Sequence, residues 1–329
     1  MSNNATESSL SRRRLSVVTP TLHRPVELAG LIENLRQQTC PPAELIVIDG
    51  APRGERATEL VLNELTAALP FPVRYVRHDK GTAIQRNAGI ELAQGDFVAF
   101  IDDDVRLEAD FFANMIAAFA QDEARKIGGI VGYRTNQHFR LEERQRWRWY
   151  RRLKLLTTFE PGQYDFECGY PINNSMQPPF SGTRKVHFMT TACAVWRREV
   201  LDAGLRFDPF FRDYGVLEDA HFSLRAGRNW ELLQCGDARC VELNSPNGRV
   251  NRRKIGYKSV VNYYYVFQDV VRPLTWRHKT RFWRYQAFEL LRVAASAVRR
   301  KRWSDVLEVR GRLEGVMAVA RGVKGIKQN

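Results

Sequence analysis

The stretch Gly95-Asp96-Phe97-Val98-Ala99-Phe100-Ile101-Asp102-Asp103-Asp104 decides the fold. Phe97 to Ile101 is a mostly apolar run of strand length, closed abruptly by three consecutive carboxylates. A continuous apolar run bounded by turn signals reads as a strand buried on both faces of a parallel sheet. Three adjacent carboxylates at its carboxyl end repel one another unless positive charge lies among them. Hard divalent cations such as Mg²⁺ or Mn²⁺ take oxygen ligands and share them with phosphates. Ligands of open α/β sheets also sit outside the carboxyl ends of strands. Read alone, the triplet is equally a solvated loop with one helix cap.

Working outward, Leu15 to Thr19 is a short β-branched strand closed by Pro20, and Val26 to Gln38 has the helical spacing Leu28, Leu31, Ile32, Leu35. Leu45 to Ile48 is a second buried strand, again ending in an acid, Asp49. A helix is expected over Ala57 to Leu69, a strand over Val73 to Arg77, and a helix from Gly81-Thr82 to Ala93 with Thr82 as its N-cap. After the triplet comes a helix from about Asp110 to Ala120. Strands alternating with such helices imply βαβ units and a mainly parallel sheet. No Gly-x-Gly-x-x-Gly follows the first strand and no Walker loop occurs, so phosphate handling falls to metal and side chains. Beyond Gly132 the pattern loosens. Phe159 to Lys185 is long for a structureless loop and reads as a lid or binding segment. Val186 to Trp196 regains strand character, Arg198 to Ala203 reads as a short helix and Phe207 to Phe210 as a turn. The acidic pair Glu218-Asp219 follows, for which a helix N-terminus is the inexpensive explanation. From Gly248 onward the chain reads as three helices, Ile255–Val271, Thr275 to about Val298, and Ser304–Val323.

The chain has 329 residues, 44% apolar and 27% charged, ordinary for a soluble globular protein. No apolar run approaches the roughly 20 residues that span a bilayer. Met1 to Arg14 lacks the apolar core of a signal peptide and reads as a disordered basic leader. Five cysteines without a Cys-x-x-Cys pair point to a reducing cytoplasm rather than a disulfide framework or zinc site. The formal charge of +14 calls for an anionic partner. From Arg272 to Arg302 there are ten Lys or Arg against Glu289, and from Arg134 to Lys154 eight against Glu142 and Glu143, with Trp, Tyr and Phe interleaved. Such segments suit a lipid headgroup interface and equally a single-stranded nucleic acid.

Taken together, the motifs resemble the family 2 glycosyltransferases. Val17-Val18-Thr19-Pro20-Thr21 with Arg24-Pro25 looks like the opening strand, and Ile46-Val47-Ile48-Asp49-Gly50 like the second. Arg86-Asn87-Ala88-Gly89-Ile90 is similar to the A-R-N-x-G segment and Phe100 to Asp104 to the D-x-D motif. Trp196-Arg197-Arg198-Glu199-Val200, Gly204, Phe207-Asp208 and Glu218-Asp219 resemble the late elements. The ordered set covers about Leu15 to Leu224.

The resemblance implies an α/β GT-A fold: a mainly parallel central sheet flanked by helices, with a helical C-terminal extension. The expected division is a leader 1–14, a transferase domain 15–248 (donor half about 15–132, acceptor half about 133–248), and a basic helical extension 249–329. It further implies an inverting transferase with a nucleotide-diphosphate sugar donor, UDP-sugar favoured, and a glycan or lipid-linked hydroxyl acceptor. That places it in cell-surface polysaccharide or glycolipid synthesis, cytoplasmic and peripheral on the inner membrane face. Asp49 would meet the base, Arg86 the nucleotide and Asp103 the ribose. Thr19, Thr21, Arg24 and Asp102 would line the donor pocket. Asp104 would hold Mg²⁺ or Mn²⁺. Asp219 would be the general base, with Glu218 orienting acceptor or base. His221 stands where an acid is common and is a candidate to tune Asp219. The later motif at Val241 to Arg249 has no histidine, leaving Glu242 or Asn244 as substitutes. Two other readings stand beside this one. A sugar-phosphate nucleotidyltransferase would need a glycine-rich Lys/Arg loop, which Pro20 to Pro25 does not resemble. A nucleic-acid-binding protein would account for the charge, but three aspartates at a strand end would repel its phosphates.

Overall fold

The computed structural model describes residues 14–66, 69–137, 141–211, 215–243 and 251–322. The expected leader, apart from Arg14, and Asn244 lie outside them. Among the described residues, β1 (Leu15–Thr21), β2 (Glu44–Asp49) and β4 (Phe97–Ile101) are buried along their whole length, as strands covered on both faces must be. β1 pairs in parallel with β2 and with β4, and β2 with β3 (Val73–Arg77). α1 (Pro25–Arg36) and α2 (Ala57–Leu65) connect β1 to β2 and β2 to β3. α3 (Thr82–Leu92) packs on β1 and β2. Its Gly89 is required by that approach, since a Cβ there would run into the Val18 side chain.

The chain steps outward from β1 to β2 and β3, then returns through α3 to place β4 on the other flank of β1. This reversal makes the carboxyl ends of β1 and β4 a switch point, where open α/β sheets bind ligands. β5 (Val105–Leu107) and α4 (Phe111–Ala120) follow. The far half of the nine-stranded sheet is mixed: β10 (Cys193–Arg197) runs antiparallel to β4 and β6 (Ile127–Arg134), while β11 (Glu231–Glu242) is parallel to β6 and antiparallel to β5. The structure adds β6 to the expected elements. Its paired glycines blur the strand pattern, and Gly129 is needed because Trp196 and Met189 fill the space of a Cβ.

A second addition is α5 (Leu141–Arg152), whose run of arginines carries few apolar residues. Its Trp147 and Tyr150 pack with Leu155, Leu156, Cys168 and Tyr285. The expected long loop resolves into β7 (Tyr164–Asp165), β8 (Tyr170–Pro171), one 3₁₀ turn and β9 (Thr183–Val186). The late Trp196-Arg197-Arg198-Glu199 motif is structural. Arg197, 2% exposed, pairs with Asp122 (3.0 Å) and caps the carbonyl of Ile127 (2.7 Å), while Arg198 donates to Asp202 and Glu199 pairs with Arg125. α6 (Arg198–Asp202) and α7 (Glu218–Ala226) flank the turn at Phe207.

The extension forms three helices as expected, α8 (Arg252–Val270), α9 (Trp276–Arg300) and α10 (Trp303–Ala320). α8 and α10 touch backbone to backbone: a Cβ on Gly311 would strike the Arg253 carbonyl, and one on Gly256 the Glu308 carbonyl. Neither obstacle is a flexible side-chain end, so the helices would have to part. Gly311→Val is therefore expected to lower the unfolding free energy by about 3 kcal/mol in urea. Gly54→Ala, with nothing near its Cβ position, should stay within about 0.5 kcal/mol. Among the described residues no helix is long and apolar enough to cross a membrane.

Candidate active site

Four segments converge at the carboxyl edge of the sheet beside the switch point. β1 brings Thr21, whose hydroxyl donates to Asp103 Oδ2 (2.7 Å). The following turn brings Arg24, whose Nη1 donates to Asp103 Oδ1 (3.0 Å) and Asp104 Oδ2 (3.3 Å). From α3 comes Arg86, 2% exposed, donating from Nη2 to Asp102 Oδ1 (2.8 Å). The Nη1 of the same guanidinium lies 3.6 Å from Glu218 Oε1 at the start of α7. One buried arginine thus joins the acid-tipped strand to the acidic pair, although 116 positions separate Asp102 from Glu218 in the chain. The repulsion within the triplet is answered by Arg24 on one side and Arg86 on the other.

Side chains not marked out by the sequence hold this frame. Arg106 donates to the backbone carbonyls of Asp103 (3.0 Å), Val105 (2.8 Å) and Glu27 (2.9 Å), bracing the turn after β4. Gln85 donates to the carbonyls of Thr21 (3.0 Å) and Ile48 (2.7 Å), stapling the ends of β1 and β2. Asn87 makes a reciprocal pair with the Phe207 backbone, both bonds at 2.8 Å. Phe207 then stacks on Phe222 of α7 at 4.1 Å, which fixes the height of the acidic pair.

Burial pushes the Asp103 carboxyl up to about 6, against the downward pull of Thr21 and Arg24. Asp104 is 6% exposed, and its main-chain carbonyl accepts from Leu243 N–H (2.8 Å), so the end of β11 lies against the triplet. Asp102 is the most open of the three, its side chain 31% exposed. Mg²⁺ and Mn²⁺ sites commonly use one or two carboxylates and complete their shell with substrate phosphates. Asp102 and Asp104 fit such a shared site. A closed protein cage is not what they form: among the described residues no group of three or more His, Cys, Asp or Glu is gathered to hold a metal.

At the second centre, Leu217 precedes α7 in the left-handed region (φ +72°), a conformation that costs a non-glycine residue about 1–2 kcal/mol. Asn262 of α8 pins this turn by donating to the Val216 carbonyl (2.9 Å). Glu218 accepts from the Thr82 hydroxyl (3.2 Å). Thr82 is accordingly not the N-cap of α3; Gly81 takes that position, and the hydroxyl serves the acidic pair instead. Asp219 stays partly open to solvent and accepts through Oδ1 from Ala220 N–H (2.7 Å). Burial, then the Glu218 carboxylate, push Asp219 up to about 7. A carboxyl poised near neutrality and held by no ion pair among the described residues is suited to taking a proton.

One candidate, His221, sits differently from the expectation, and three others have defined surroundings. His221 does not face Asp219. Two residues on, a helix has turned about 200°, and His221 Nε2 meets Asp269 of α8 (3.0 Å), whose carboxyl it holds down at about 2. Glu242 accepts from Arg134 and Gln137, both at 2.6 Å. Asp49 is fully buried, accepting from Ala51 N–H (2.9 Å) and the Tyr75 hydroxyl (3.0 Å), and so clasps the loop after β2. Thr19 is likewise fully buried, its hydroxyl without a hydrogen-bond partner.

The edge therefore joins a carboxylate cluster fit for a phosphate-bound cation to a second carboxyl fit for proton abstraction. Comparison with known proteins gives the family and the fold. The model of the family described as Glycosyl transferase family 2 matches residues 16–205. An uncharacterized glycosyltransferase of Haemophilus influenzae is 33% identical over 92 residues, 27% of this chain and 29% of that protein. A PGL/p-HBAD biosynthesis glycosyltransferase of Mycobacterium bovis is 28% identical over 128 residues, 37% of this chain and 48% of that one. The chain thus matches less than half the length of either relative. A mannosyltransferase of Pyrobaculum calidifontis, solved in complex with GDP-Man and Mn²⁺, superposes with a TM-score of 0.56 at 15% identity, over 93% of this chain and 87% of its own.

Proposed function

The chain belongs to glycosyl transferase family 2 and carries the GT-A fold, and from that premise we propose that it moves a sugar, with inversion, from a nucleotide-diphosphate donor to a hydroxyl acceptor. The observation that carries the reading is the Arg86 guanidinium, shared between Asp102 (2.8 Å) and Glu218 (3.6 Å). It joins the acid-tipped strand to the Glu218-Asp219 pair, which supports a donor phosphate end and a proton-accepting pair at one edge. Arg24, Thr21, Asp102 and Asp103 would hold the nucleotide diphosphate, and Asp49 with Thr19 would back the base end. Asp104, with Asp102, would hold a Mg²⁺ or Mn²⁺, which when bound offsets the charge of the departing diphosphate. The GDP-Man and Mn²⁺ of the Pyrobaculum enzyme support a nucleotide sugar and a divalent cation here.

Asp219 takes the acceptor hydroxyl's proton as oxygen attacks the anomeric carbon from the face opposite the diphosphate. Glu218, steadied by Thr82 and Arg86, orients the acceptor. Gly215 is integral to that placement, because a Cβ there would run into the Glu218 carboxylate. Gly215→Ala is expected to cut kcat about tenfold with an unchanged melting curve, since misplacing a positioned group by about an ångström is costly to rate. The test of the function is incubation with a panel of nucleotide sugars and Mn²⁺. Release of nucleoside diphosphate with glycosylated acceptor is expected. Pyrophosphate release from a nucleoside triphosphate and a sugar phosphate would assign the nucleotidyl chemistry instead.

The domain division of donor half 15–132, acceptor half 133–248 and extension 249–329 belongs to the same proposal, as does action on a lipid-linked or glycan acceptor at the inner membrane face. The extension exposes Trp276 (81%), Val298 (80%) and Trp303 (73%) among its arginines and lysines, a combination suited to an anionic headgroup layer. Flotation should show the protein rising with anionic liposomes at low salt and released at high salt. Absence of binding at low salt would contradict the membrane placement.

A further inference from the structure

A polar cavity of about 370 Å³ opens among the C-terminal helices and shares no lining residue with the site at the sheet edge. Six arginines line it: Arg146 of α5, Arg252 of α8, Arg292 and Arg300 of α9, Arg302 in the turn, and Arg312 of α10. Three carboxylates line it too, Glu289, Asp305 and Glu308, which leaves a formal excess of three positive charges among the described lining residues.

The acids are already engaged. Glu289, 3% exposed, accepts two bonds from Arg292 (2.9 Å each) and one from the Tyr150 hydroxyl (2.6 Å). Glu308 accepts from Arg252 (3.2 Å) and Arg312 (3.4 Å), and Asp305 from the Ser296 hydroxyl (2.8 Å). Arg146 is different. Its guanidinium lies over the Tyr150 and Trp147 rings at 5.7 and 5.9 Å, its Nε is buried without a hydrogen-bond partner, and Glu289 attracts it only from beyond ion-pair distance. A structural network of arginines and acids would balance its charges and satisfy its donors. Here the Arg146 Nε is left without a partner.

Guanidinium forks match phosphate oxygens two at a time, and a buried cation with spare donors is stabilised by an anion that supplies them. The volume falls at the small end of ligand sites. We propose that this cavity binds a phosphomonoester or diphosphate group, separate from the donor's diphosphate. The group arrives either as a soluble anion or as a lipid headgroup, since both present the same oxygens.

The test is hydrogen exchange of the full chain, read on peptides from α5 and α8 to α10 so that anion binding at the sheet edge is scored apart. The probes are inorganic phosphate, chloride at equal ionic strength, and phosphatidylcholine vesicles with and without phosphatidic acid. Phosphate is expected to slow exchange around the cavity saturably, where chloride does not. Arg146→Gln, which orphans no acid, should raise the half-effect concentration roughly tenfold. The exposed Arg302→Gln gives an independent variant and should raise it roughly threefold. Protection by phosphatidic-acid vesicles at lower total phosphate than the soluble ion assigns a headgroup, and protection by the soluble ion alone assigns a free anion. No phosphate-specific protection from either source, or half-effect concentrations unchanged in both variants, would overturn the proposal.

Discussion

Asp219→Asn is expected to lower kcat by about 10³-fold while the donor's dissociation constant moves less than about threefold, as measured by steady-state kinetics and donor titration. The substitution is nearly isosteric and leaves an oxygen to accept from Ala220 N–H, so the turn at Leu217 keeps its geometry. What is lost is the group that takes the acceptor's proton. The same carboxyl sets the pH dependence. Burial and the neighbouring Glu218 raise it to about 7, so the proton stays on until pH approaches neutrality. The active, deprotonated form therefore appears as pH rises. Wild-type kcat/KM should climb about tenfold per pH unit on the acid side and level off above pH 7. The asparagine variant should lack that limb.

Asp104→Asn should remove the Mn²⁺-dependent part of the thermal shift produced by nucleoside diphosphate, and cut kcat/KM by roughly 10²-fold or more. The fold should survive, because Arg24 retains its bond to Asp103 (3.0 Å) and Arg106 still braces the turn from its backbone side. Loss of one carboxylate lowers the charge and hardness of the donor set without emptying the pocket. Nucleoside diphosphate added without metal should therefore shift wild type and variant alike.

The parts of the fold that the sequence makes legible are those where burial follows a simple period. β2 and β4 are mostly apolar runs ended by Asp49 and Asp102, β1 is a buried β-branched run that continues through Pro20 to Thr21 where the sequence predicts an end at Pro20, and α1 shows its stripe of Leu28, Leu31, Ile32 and Leu35. β6 and α5 escape that reading for opposite reasons. Gly128 and Gly129 thin out the first because Trp230 and Trp196 occupy the space, while the second, among its described side chains, buries Trp147 and Tyr150 between its arginines. At the site, the acids stand out as charges at strand and helix ends, and Arg86 by the Arg86-Asn87-Ala88-Gly89 segment it opens. Their partners do not. Thr82 serving Glu218, Gln85 stapling two strands and Tyr75 meeting Asp49 are tertiary contacts across tens of residues with no periodic signature. His221 shows the converse: near Asp219 in the chain, it faces α8 because a helix turns about 100° per residue.

A structure of the protein crystallised with Mn²⁺ and a nucleoside diphosphate, with the metal located by its anomalous signal, reaches the central claim most directly. The expected result is one metal peak within coordination distance of the Asp104 carboxylate, bridging to the diphosphate, with the Arg86 guanidinium still between Asp102 and Glu218. A diphosphate bound elsewhere, or a metal peak with no contact to Asp102 or Asp104, would contradict it.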